Sequence, residues 1–338
     1  MDMEAKKPPR NPVHPACPDA DTVVILAPGH IPTTDYYVTS RIGQGLPAKT
    51  ACFDSRVMPK SSCTLEGAWV VIVRHASCAC LEFLKTQRLA GVSYLMDDDI
   101  PAAWRCRDVP LDYGLWTSGR YWRIRAPLSA LCDEVWVSTP ELARRYPGTR
   151  LMPPLPFDAP ASPTPVGCRR WGYHGSRIHA RETEWIVPVV DAVQQVVPEA
   201  EFEVFGGERV KRLFRHVPRV TVYPPMPWPD YLAHCRANPL AVGVAPLLPG
   251  WFNAARAHTK AFDILRCGAA GVFSAREPYA QVLGKHGAVC LPDDRSAWVE
   301  AIIALLTDDA WRRTCFFRSA EWAAAQAATG PDLRGLLA

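Results

Sequence analysis

Long apolar runs are missing from this sequence of 338 residues. No stretch approaches the roughly 18 to 20 consecutive apolar residues that a membrane-spanning helix needs. Residues 1–21 are polar and contain several prolines, without the apolar centre of a secretion signal, so we expect a flexible tail there. These absences predict a cytoplasmic protein, and a location at the inner face of the membrane stays open within that prediction.

The sequence also lacks a large excess of one charge, because 38 Lys and Arg residues nearly balance 34 Asp and Glu residues. The resulting net charge of +4 is small and dispersed along the chain, which argues against a nucleic-acid partner. Hydrophobic residues make up 48% of the chain, as in globular proteins. The length allows two domains of roughly 150 residues each or a single large one.

The twelve cysteines lack the paired spacing of a zinc knuckle. The segment "SCAC" at 77–80 has the wrong spacing and no second pair nearby. Most cysteines lie singly in apolar segments, as Cys52, Cys132, Cys267 and Cys290 do, where a reduced cysteine acts as a small core residue. We therefore predict no bound metal.

Short apolar segments that end in polar or turn residues recur along the chain from residue 21. They predict buried strands at 22–30, 50–54, 69–75, 92–99, 133–139, 169–175, 201–207, 220–223, 240–246, 271–274 and 288–291. The helical pattern between them is clearest at 78–90, 183–197, 297–306 and 310–327. Strands that alternate with helices at this spacing predict parallel sheets with right-handed crossovers.

A proline-rich segment at 151–168 interrupts this alternation and predicts a linker. The fold class that follows is α/β, with two doubly wound Rossmann-like domains that face each other across a cleft. We predict a tail at 1–21, an N-terminal domain at 22–157, a linker at 158–168, a C-terminal domain at 169–309 and a helical segment at 310–338.

Ligands of parallel sheets bind beyond the carboxyl ends of the strands, so polar residues at those ends are the candidates for chemistry. In "YLMDDDI", Asp97, Asp98 and Asp99 directly follow a strand, and at least one of them should face the cleft. A solvated surface loop and an acidic metal site are the alternatives for this segment. His75 ends the preceding strand, where it could act as an acid or base or be an ordinary hydrogen-bonded histidine.

The segment "YHGSRIHARE" follows the first strand of the second half. Gly175 and Ser176 permit a tight turn that exposes backbone amides, and Arg177 and His179 add positive charge near a helix start, as a diphosphate site requires. A purely structural turn is the alternative. The segment lacks the spacing of a dinucleotide-binding motif or a P-loop, which argues against NAD-dependent chemistry and ATP hydrolysis.

The segment "PGWFNAARAHTKAFDIL" leads into another predicted helix. Asn253 suits a loop, Thr259 can cap the helix or donate a hydrogen bond, and Lys260 and Arg256 supply positive charge near its first turn. Asp263, one turn later, could accept from two ribose hydroxyls. The alternative is a solvent-facing ion pair between Lys260 and Asp263, worth only tenths of a kcal/mol.

Arginine alternates with Trp and Tyr in the segment 104–125, "WRCRDVPLDYGLWTSGRYWRIR". This composition suits a platform for an acceptor or a patch that touches anionic lipid. A helical pair that packs on the sheet is the alternative.

Together these motifs resemble those of GT-B glycosyltransferases, most nearly bacterial enzymes related to glycosyltransferase family 4. The resemblance is best from residue 173 to 309, where it includes "FNAARAHTKAFDILRCGAAGVFSAREPYAQVL" and "GAVCLPDDRSAWVEAIIALLTDD". In the first half, "VSYLMDDDI" and "CDEVWVSTPELARRY" look like segments of related surface-polysaccharide glycosyltransferases.

The resemblance implies a nucleotide-sugar donor held by the C-terminal domain and a glycan or lipid-linked acceptor held by the N-terminal domain. Lys260 would contact the diphosphate and Asp263 the ribose, with the nucleotide sugar as co-substrate and without a tightly bound cofactor. The family has two glutamates separated by seven residues; here Asp263 replaces the second, and Ala255 stands eight positions before it.

The predicted function is therefore a glycosyltransferase of the hexosyltransferase class that acts in cell-surface polysaccharide synthesis with retention of configuration. A nucleotide-sugar epimerase and a non-catalytic subunit of a glycan assembly complex are the alternatives. The predicted catalytic residues are Asp97, Asp98 and His75. The predicted donor-binding residues are Gly175, Ser176, Arg177, His179, Asn253, Arg256, Thr259, Lys260 and Asp263.

Overall fold

The alternating apolar segments of the first half form a parallel sheet. A computed structural model describes residues 22–42, 49–57, 65–158 and 162–329, so the predicted tail at 1–21 lies outside the described residues. The first sheet contains β1 (Thr22–Ala27), β2 (Lys49–Asp54), β3 (Trp69–Val73), β4 (Gly91–Met96), β5 (Glu134–Val137) and β6 (Arg150–Leu151). These strands lie in the order β2-β1-β3-β4-β5-β6, and every neighbouring pair is parallel.

A second parallel sheet follows the proline-rich segment. It contains β7 (Arg170–Tyr173), β8 (Glu201–Phe205), β9 (Val220–Tyr223), β10 (Val242–Ala245), β11 (Ala270–Ser274) and β12 (Val289–Leu291). The strand order is β12-β11-β10-β7-β8-β9, again parallel throughout. The predicted fold class, α/β with two doubly wound sheets, is confirmed.

Helices connect the strands in both halves. The first half contains α1 (Pro32–Tyr37), α2 (Cys78–Lys85), α3 (Leu111–Leu131) and α4 (Pro140–Arg145). The second half contains α5 (Ala180–Val196), α6 (Glu208–Phe214), α7 (Trp228–Ala237), α8 (Thr259–Arg266), α9 (Tyr279–Leu283), α10 (Arg295–Thr307) and α11 (Asp309–Thr329). Within the described ranges, none of the helices has both the length and the apolar character that crossing a bilayer requires.

Each sheet packs one face against its own helices, and the two halves also share a core. Leu81 of α2 and Tyr121 of α3 belong to the core of the first sheet, and Ile186 of α5 and Trp298 of α10 to that of the second. A further cluster contains residues of both halves, including Tyr36, whose ring centre lies 5.3 to 5.9 Å from those of Phe157, Trp228 and Phe262. The two sheets are therefore joined by continuous apolar packing.

The strand orders fix where a ligand can enter. In the second sheet, chain connections leave in opposite directions from the neighbouring strands β7 and β10. The first sheet has the corresponding point between β1 and β3. Loops that diverge at such a point leave a crevice beyond the carboxyl ends of the strands, which is where ligands of open α/β sheets bind.

Candidate functional site

A cleft of about 1160 Å³ lies between the two halves, with walls that follow β1, β3 and β4 on one side and β7, β8 and β10 on the other. Most of the predicted site residues line it. They are Asp97, Asp98, Gly175, Ser176, Arg177, His179, Arg256, Thr259, Lys260 and Asp263. The lining does not include His75 or Asn253, the other two predicted residues.

Lys260 stands in the first turn of α8 with little exposure to solvent. Its Nζ donates a hydrogen bond to the carbonyl oxygen of His174 at 2.5 Å and lies 5.8 Å from the ring centre of Tyr173. Burial lowers the pKa of Lys260 to about 8, although Asp263 acts in the opposite direction. A buried ammonium with a lowered pKa is stabilised when an anion binds beside it, because the opposite charge favours the protonated form.

Arg256 is a second cation on the same side of the cleft as Lys260, and it reaches toward the first half of the protein. Its Nε donates to Asn253 Oδ1 at 3.0 Å, and its Nη1 lies 3.9 Å from Asp98 Oδ1. Its Nη2 is buried and has no hydrogen-bond partner among the described residues. A buried donor without a partner costs free energy, the more so on a charged group. Arg256 can therefore gain by binding one more acceptor at this nitrogen.

The turn after β7 depends on a glycine. A Cβ at Gly175 would lie only 2.7 Å from ring carbons of Tyr173, so a larger residue would displace either the ring or the turn. Ser176 and Arg177 follow at the cleft surface, and Arg177 forms an ion pair with Asp112 of the first half. His179 is buried, and its pKa lies well below the usual value because burial and the cations of Arg256 and Lys260 disfavour its charge.

Asp263 links the two halves of the protein. Its Oδ1 accepts hydrogen bonds from Tyr36 Oη at 2.5 Å and from Arg266 Nη1 at 2.8 Å. Lys260 instead donates to the His174 carbonyl, so the solvent-facing ion pair between Lys260 and Asp263 is not formed. Asp263 still lines the cleft, one helical turn beyond Lys260.

The opposite wall carries carboxylates that are paired with an arginine. Asp97 Oδ2 accepts from Thr33 Oγ1 at 2.7 Å, while Arg74 lies 3.1 Å from Asp97 Oδ1 and 3.0 Å from Asp98 Oδ2. Burial raises the pKa of Asp97 more than the Arg74 cation lowers it. Arg74 has a φ of 59°, an uncommon conformation for a residue other than glycine, and such strain clusters at functional sites.

Asp99 does not join the other two carboxylates. It is buried, and it accepts from Arg145 at 2.6 Å, from Tyr146 Oη at 2.5 Å and from Trp251 Nε1 at 3.0 Å. It therefore holds the first half against the loop after β10, and the three consecutive aspartates do not form one acidic metal site.

His75 corrects the sequence-based prediction that this histidine faces the cleft. Its ring is buried 6.0 Å from that of Trp116, and Arg74 occupies the cleft position at the end of β3. The physical reason is that β3 ends at Val73 and the chain turns at Arg74, whose φ is 59°, so the alternation of the strand does not continue to His75. Burial and the neighbouring arginines Arg74 and Arg120 lower the pKa of His75 to about 3.

Asn253 corrects a second prediction, because it lies behind the cleft wall. Its Nδ2 donates to Glu182 Oε1 at 2.7 Å and to the Leu248 carbonyl at 2.9 Å, and its backbone amide donates to Asp108. Through its Oδ1 it orients Arg256. Asn253 is therefore a positioning residue and does not line the ligand space.

The neighbouring Ala255 occupies the position where the resemblance to family 4 enzymes implies a glutamate. Ala255 is fully buried in the core of the first half, and its carbonyl accepts from Thr139 Oγ1 at 3.0 Å. A glutamate at this position would bury a charge in an apolar core, which is costly without a partner. Two carboxylates of the described residues contact Asn253 in this loop: Glu182 accepts from its side chain and Asp108 from its backbone amide, each at 2.7 Å.

The cleft lining also contains Arg74, Thr33 and Tyr36, to which the sequence analysis gave no role. Arg74 was within reach, since it precedes His75 at the same strand end. Thr33 and Tyr36 carry no sequence signal, because each meets its partner, Asp97 or Asp263, only in the folded chain.

Solved structures with the same arrangement of sheets exist despite low sequence identity. Sucrose-phosphate synthase from Thermosynechococcus elongatus superposes with a TM-score of 0.56 and 14% identity, over 90% of this chain and 94% of that chain. A mutant of S. aureus TarM, solved with Fondaparinux, alpha-GlcNAc-glycerol and UDP, has a TM-score of 0.54 and 7% identity. The chain has the GT-B fold.

The share of each chain that superposes differs among these proteins. It includes 80% of this chain but 53% of the TarM chain, so the chain corresponds to about half the length of TarM. O-GlcNAc transferase from Thermobaculum terrenum, as a mutant, has a TM-score of 0.50 and 11% identity, over 96% of this chain and 68% of that chain. Neither a protein-family model nor a curated protein sequence matches this chain. The assignment to glycosyltransferase family 4 therefore stays a prediction.

Proposed function

We propose that this protein is a glycosyltransferase that moves a hexosyl group from a nucleotide-sugar donor to a glycan or glycoconjugate acceptor. The observation that carries the proposal is the convergence of Lys260, Arg256 and the Gly175–Ser176 turn on one wall of a cleft between two parallel sheets. The leaving group of sugar transfer is a nucleoside diphosphate that gains negative charge as the bond breaks. Prearranged cations and amides stabilise such charge.

On the donor side, Lys260, Arg256 and the amides of the turn would bind the diphosphate. Asp263 would bind the ribose. Lys260 has a lowered pKa and Arg256 has an unpaired donor, so both gain from an incoming phosphate. UDP is the first nucleotide to test, because it is the nucleotide in the TarM structure. Thr259 at the start of α8 and Ser176 supply further hydrogen bonds.

The acceptor side of the proposal assigns Asp97 as the group that orients the acceptor hydroxyl or takes its proton. The raised pKa of Asp97 makes its carboxylate a stronger base than an ordinary aspartate. Arg74 and Thr33 hold this carboxylate in place, and Asp98 shares the same arginine. The proposed reaction retains the anomeric configuration of the sugar. This part of the proposal is based on the resemblance of the sequence to family 4 enzymes.

Helix α3 supports a further element of the proposal, contact with a membrane that holds a lipid-linked acceptor. Leu115 and Trp116 are 54% and 57% exposed, and Trp122 is 39% exposed. The guanidinium groups of Arg120 and Arg125 lie 4.7 and 5.4 Å from the ring centres of Trp116 and Trp122. Exposed tryptophan beside arginine suits the interface of an anionic bilayer. This placement is consistent with a role in cell-surface polysaccharide synthesis.

Product analysis tests the proposal. UDP-, GDP- and dTDP-hexoses are incubated with the protein, with and without lipid-linked oligosaccharides, and the nucleoside diphosphate and the glycosylated product are measured. We expect diphosphate release that requires an acceptor and falls at least tenfold in Asp97→Asn. Asp133→Asn is the control, because Asp133 lies at the far end of the first sheet, where it accepts from the amide of Val92. Proton NMR of the first product then gives the anomeric configuration.

The alternatives predict other results. An epimerase would convert the donor when no acceptor is present. If the protein were a non-catalytic subunit, the Asp97→Asn variant and the Lys260→Ala variant would both still support glycan assembly in cells. Either result would contradict the proposal.

A further inference from the structure

Three side chains of types that bind metals lie together next to the donor wall, the cleft wall that carries Lys260, Arg256 and the Gly175–Ser176 turn. They are His174 in the loop after β7, Cys235 near the end of α7 and Cys267 directly after α8. One ligand atom from each lies within 4.8 Å of the other two, and both cysteines are 1% exposed. The sequence showed no such cluster, because its members lie far apart along the chain and lack a recognisable spacing.

We propose that His174, Cys235 and Cys267 bind one Zn²⁺ ion. Zinc prefers thiolate and imidazole ligands in a tetrahedral arrangement, with bonds of about 2.3 Å to sulfur and about 2.0 Å to nitrogen. Two sulfur ligands of such a site lie about 3.8 Å apart. The observed limit of 4.8 Å therefore requires only a small inward movement of the side chains.

The surroundings of His174 match those of a zinc-bound histidine. Its Nε2 lies 2.8 Å from Glu203 Oε1, and Glu203 is itself buried and paired through its other oxygen with Arg170 at 2.7 Å. Histidine ligands of zinc usually direct their second ring nitrogen to a carboxylate, which fixes the ring and strengthens its basicity. Nδ1 is then the nitrogen left for the metal.

A fourth position is available next to the same nitrogen. Tyr231 Oη lies 3.0 Å from His174 Nδ1, and both residues line the cleft. The tyrosine oxygen or a water molecule from the cleft can complete the tetrahedron. His174 lines the cleft, whereas the thiols of Cys235 and Cys267 lie outside the cleft lining.

The site would stiffen the donor wall. The carbonyl oxygen of His174 accepts the hydrogen bond of Lys260 Nζ, and His174 directly precedes Gly175. A metal on His174, Cys235 and Cys267 would tie the turn after β7 to α7 and α8. Zinc binding at this site does not depend on the proposed glycosyltransferase activity, so the two proposals can fail separately.

Metal analysis tests the inference on the full chain, purified under reducing conditions without a metal-affinity tag. After dialysis against ZnCl₂ and then metal-free buffer, we expect one zinc ion per chain by mass spectrometry. Cys235→Ser and Cys267→Ser should lose it, whereas Cys315→Ser, a buried cysteine in another core cluster, should retain it. Glu203→Gln should weaken zinc binding by about 10- to 100-fold in competition with a chelator.

Cobalt substitution gives a readout on the wild-type protein, independent of whether the variants fold. A thiolate-to-cobalt charge-transfer band is expected when Co²⁺ is added, and Zn²⁺ should abolish it. Absence of both zinc and this band from the wild-type chain would overturn the inference. Full zinc occupancy in both serine variants would also overturn it, as would a Cys235–Cys267 disulfide that persists in protein purified under reducing conditions.

Discussion

The buried ammonium of Lys260 should make the stability of this protein depend on pH in a way that a Lys260→Met variant lacks. Burial lowers the pKa of Lys260 to about 8, against a usual value of 10.5. The unfolded chain therefore binds more protons than the folded chain between about pH 8 and 10.5, and stability rises with pH across this window. At about 1.4 kcal/mol per pKa unit, the charged lysine costs up to about 3.5 kcal/mol below pH 8.

The measurable part of this effect lies between pH 7 and 9. Over this interval the wild-type protein should gain about 1 kcal/mol of stability relative to Lys260→Met. Urea denaturation followed by tryptophan fluorescence gives both free energies of unfolding at each pH. Other titrating groups are common to the two proteins, so they cancel in the difference. A difference that stays constant with pH would refute the reasoning and would mean that the Lys260 ammonium is well solvated.

Two further substitutions test the contacts that shape the cleft. Tyr36→Phe removes the hydroxyl that donates to Asp263, so the free energy of unfolding should fall by about 1 to 2 kcal/mol in thermal denaturation. Unchanged stability would show that this link between the halves contributes nothing. Gly175→Ala places a Cβ against the Tyr173 ring, and nucleotide affinity should fall at least tenfold by titration calorimetry. Gly119→Ala, which meets no atom within 4 Å, is the control, and equal affinities in the two variants would contradict the assigned role of the turn.

The fold was predictable because its signals are local. Each buried strand is an apolar segment with a turn at its end, and the alternation with helices already implies parallel sheets. The cleft position of Gly175 and Lys260 was predictable for the same reason, since both residues belong to short segments that precede or begin helices. Their place at a strand end follows from the order of elements.

The features of the site that the sequence did not predict depend on contacts between distant segments. Tyr36 and Asp263 are 227 positions apart, and nothing in either segment indicates the hydrogen bond between them. Asn253 was assigned to the ligand because a loop asparagine is often exposed, but the buried carboxylates of Glu182 and Asp108 draw it inward. His75 was misplaced because the chain leaves the strand at Val73 and turns at Arg74, a left-handed residue that no sequence pattern indicates. Cys235 and Cys267 looked like single core cysteines until the fold brought them to His174.

Isothermal titration with UDP, GDP and dTDP tests the central claim, that the cleft binds a nucleoside diphosphate through Lys260. At least one nucleotide should bind the wild-type chain, and Lys260→Ala should weaken it by about 10- to 100-fold, because the loss of a charged hydrogen bond costs about 1.5 to 3 kcal/mol. Lys285→Ala, which removes an exposed lysine outside the cleft lining, should leave the affinity unchanged. The claim is contradicted if none of the three nucleotides binds, or if Lys260→Ala binds as tightly as the wild-type protein.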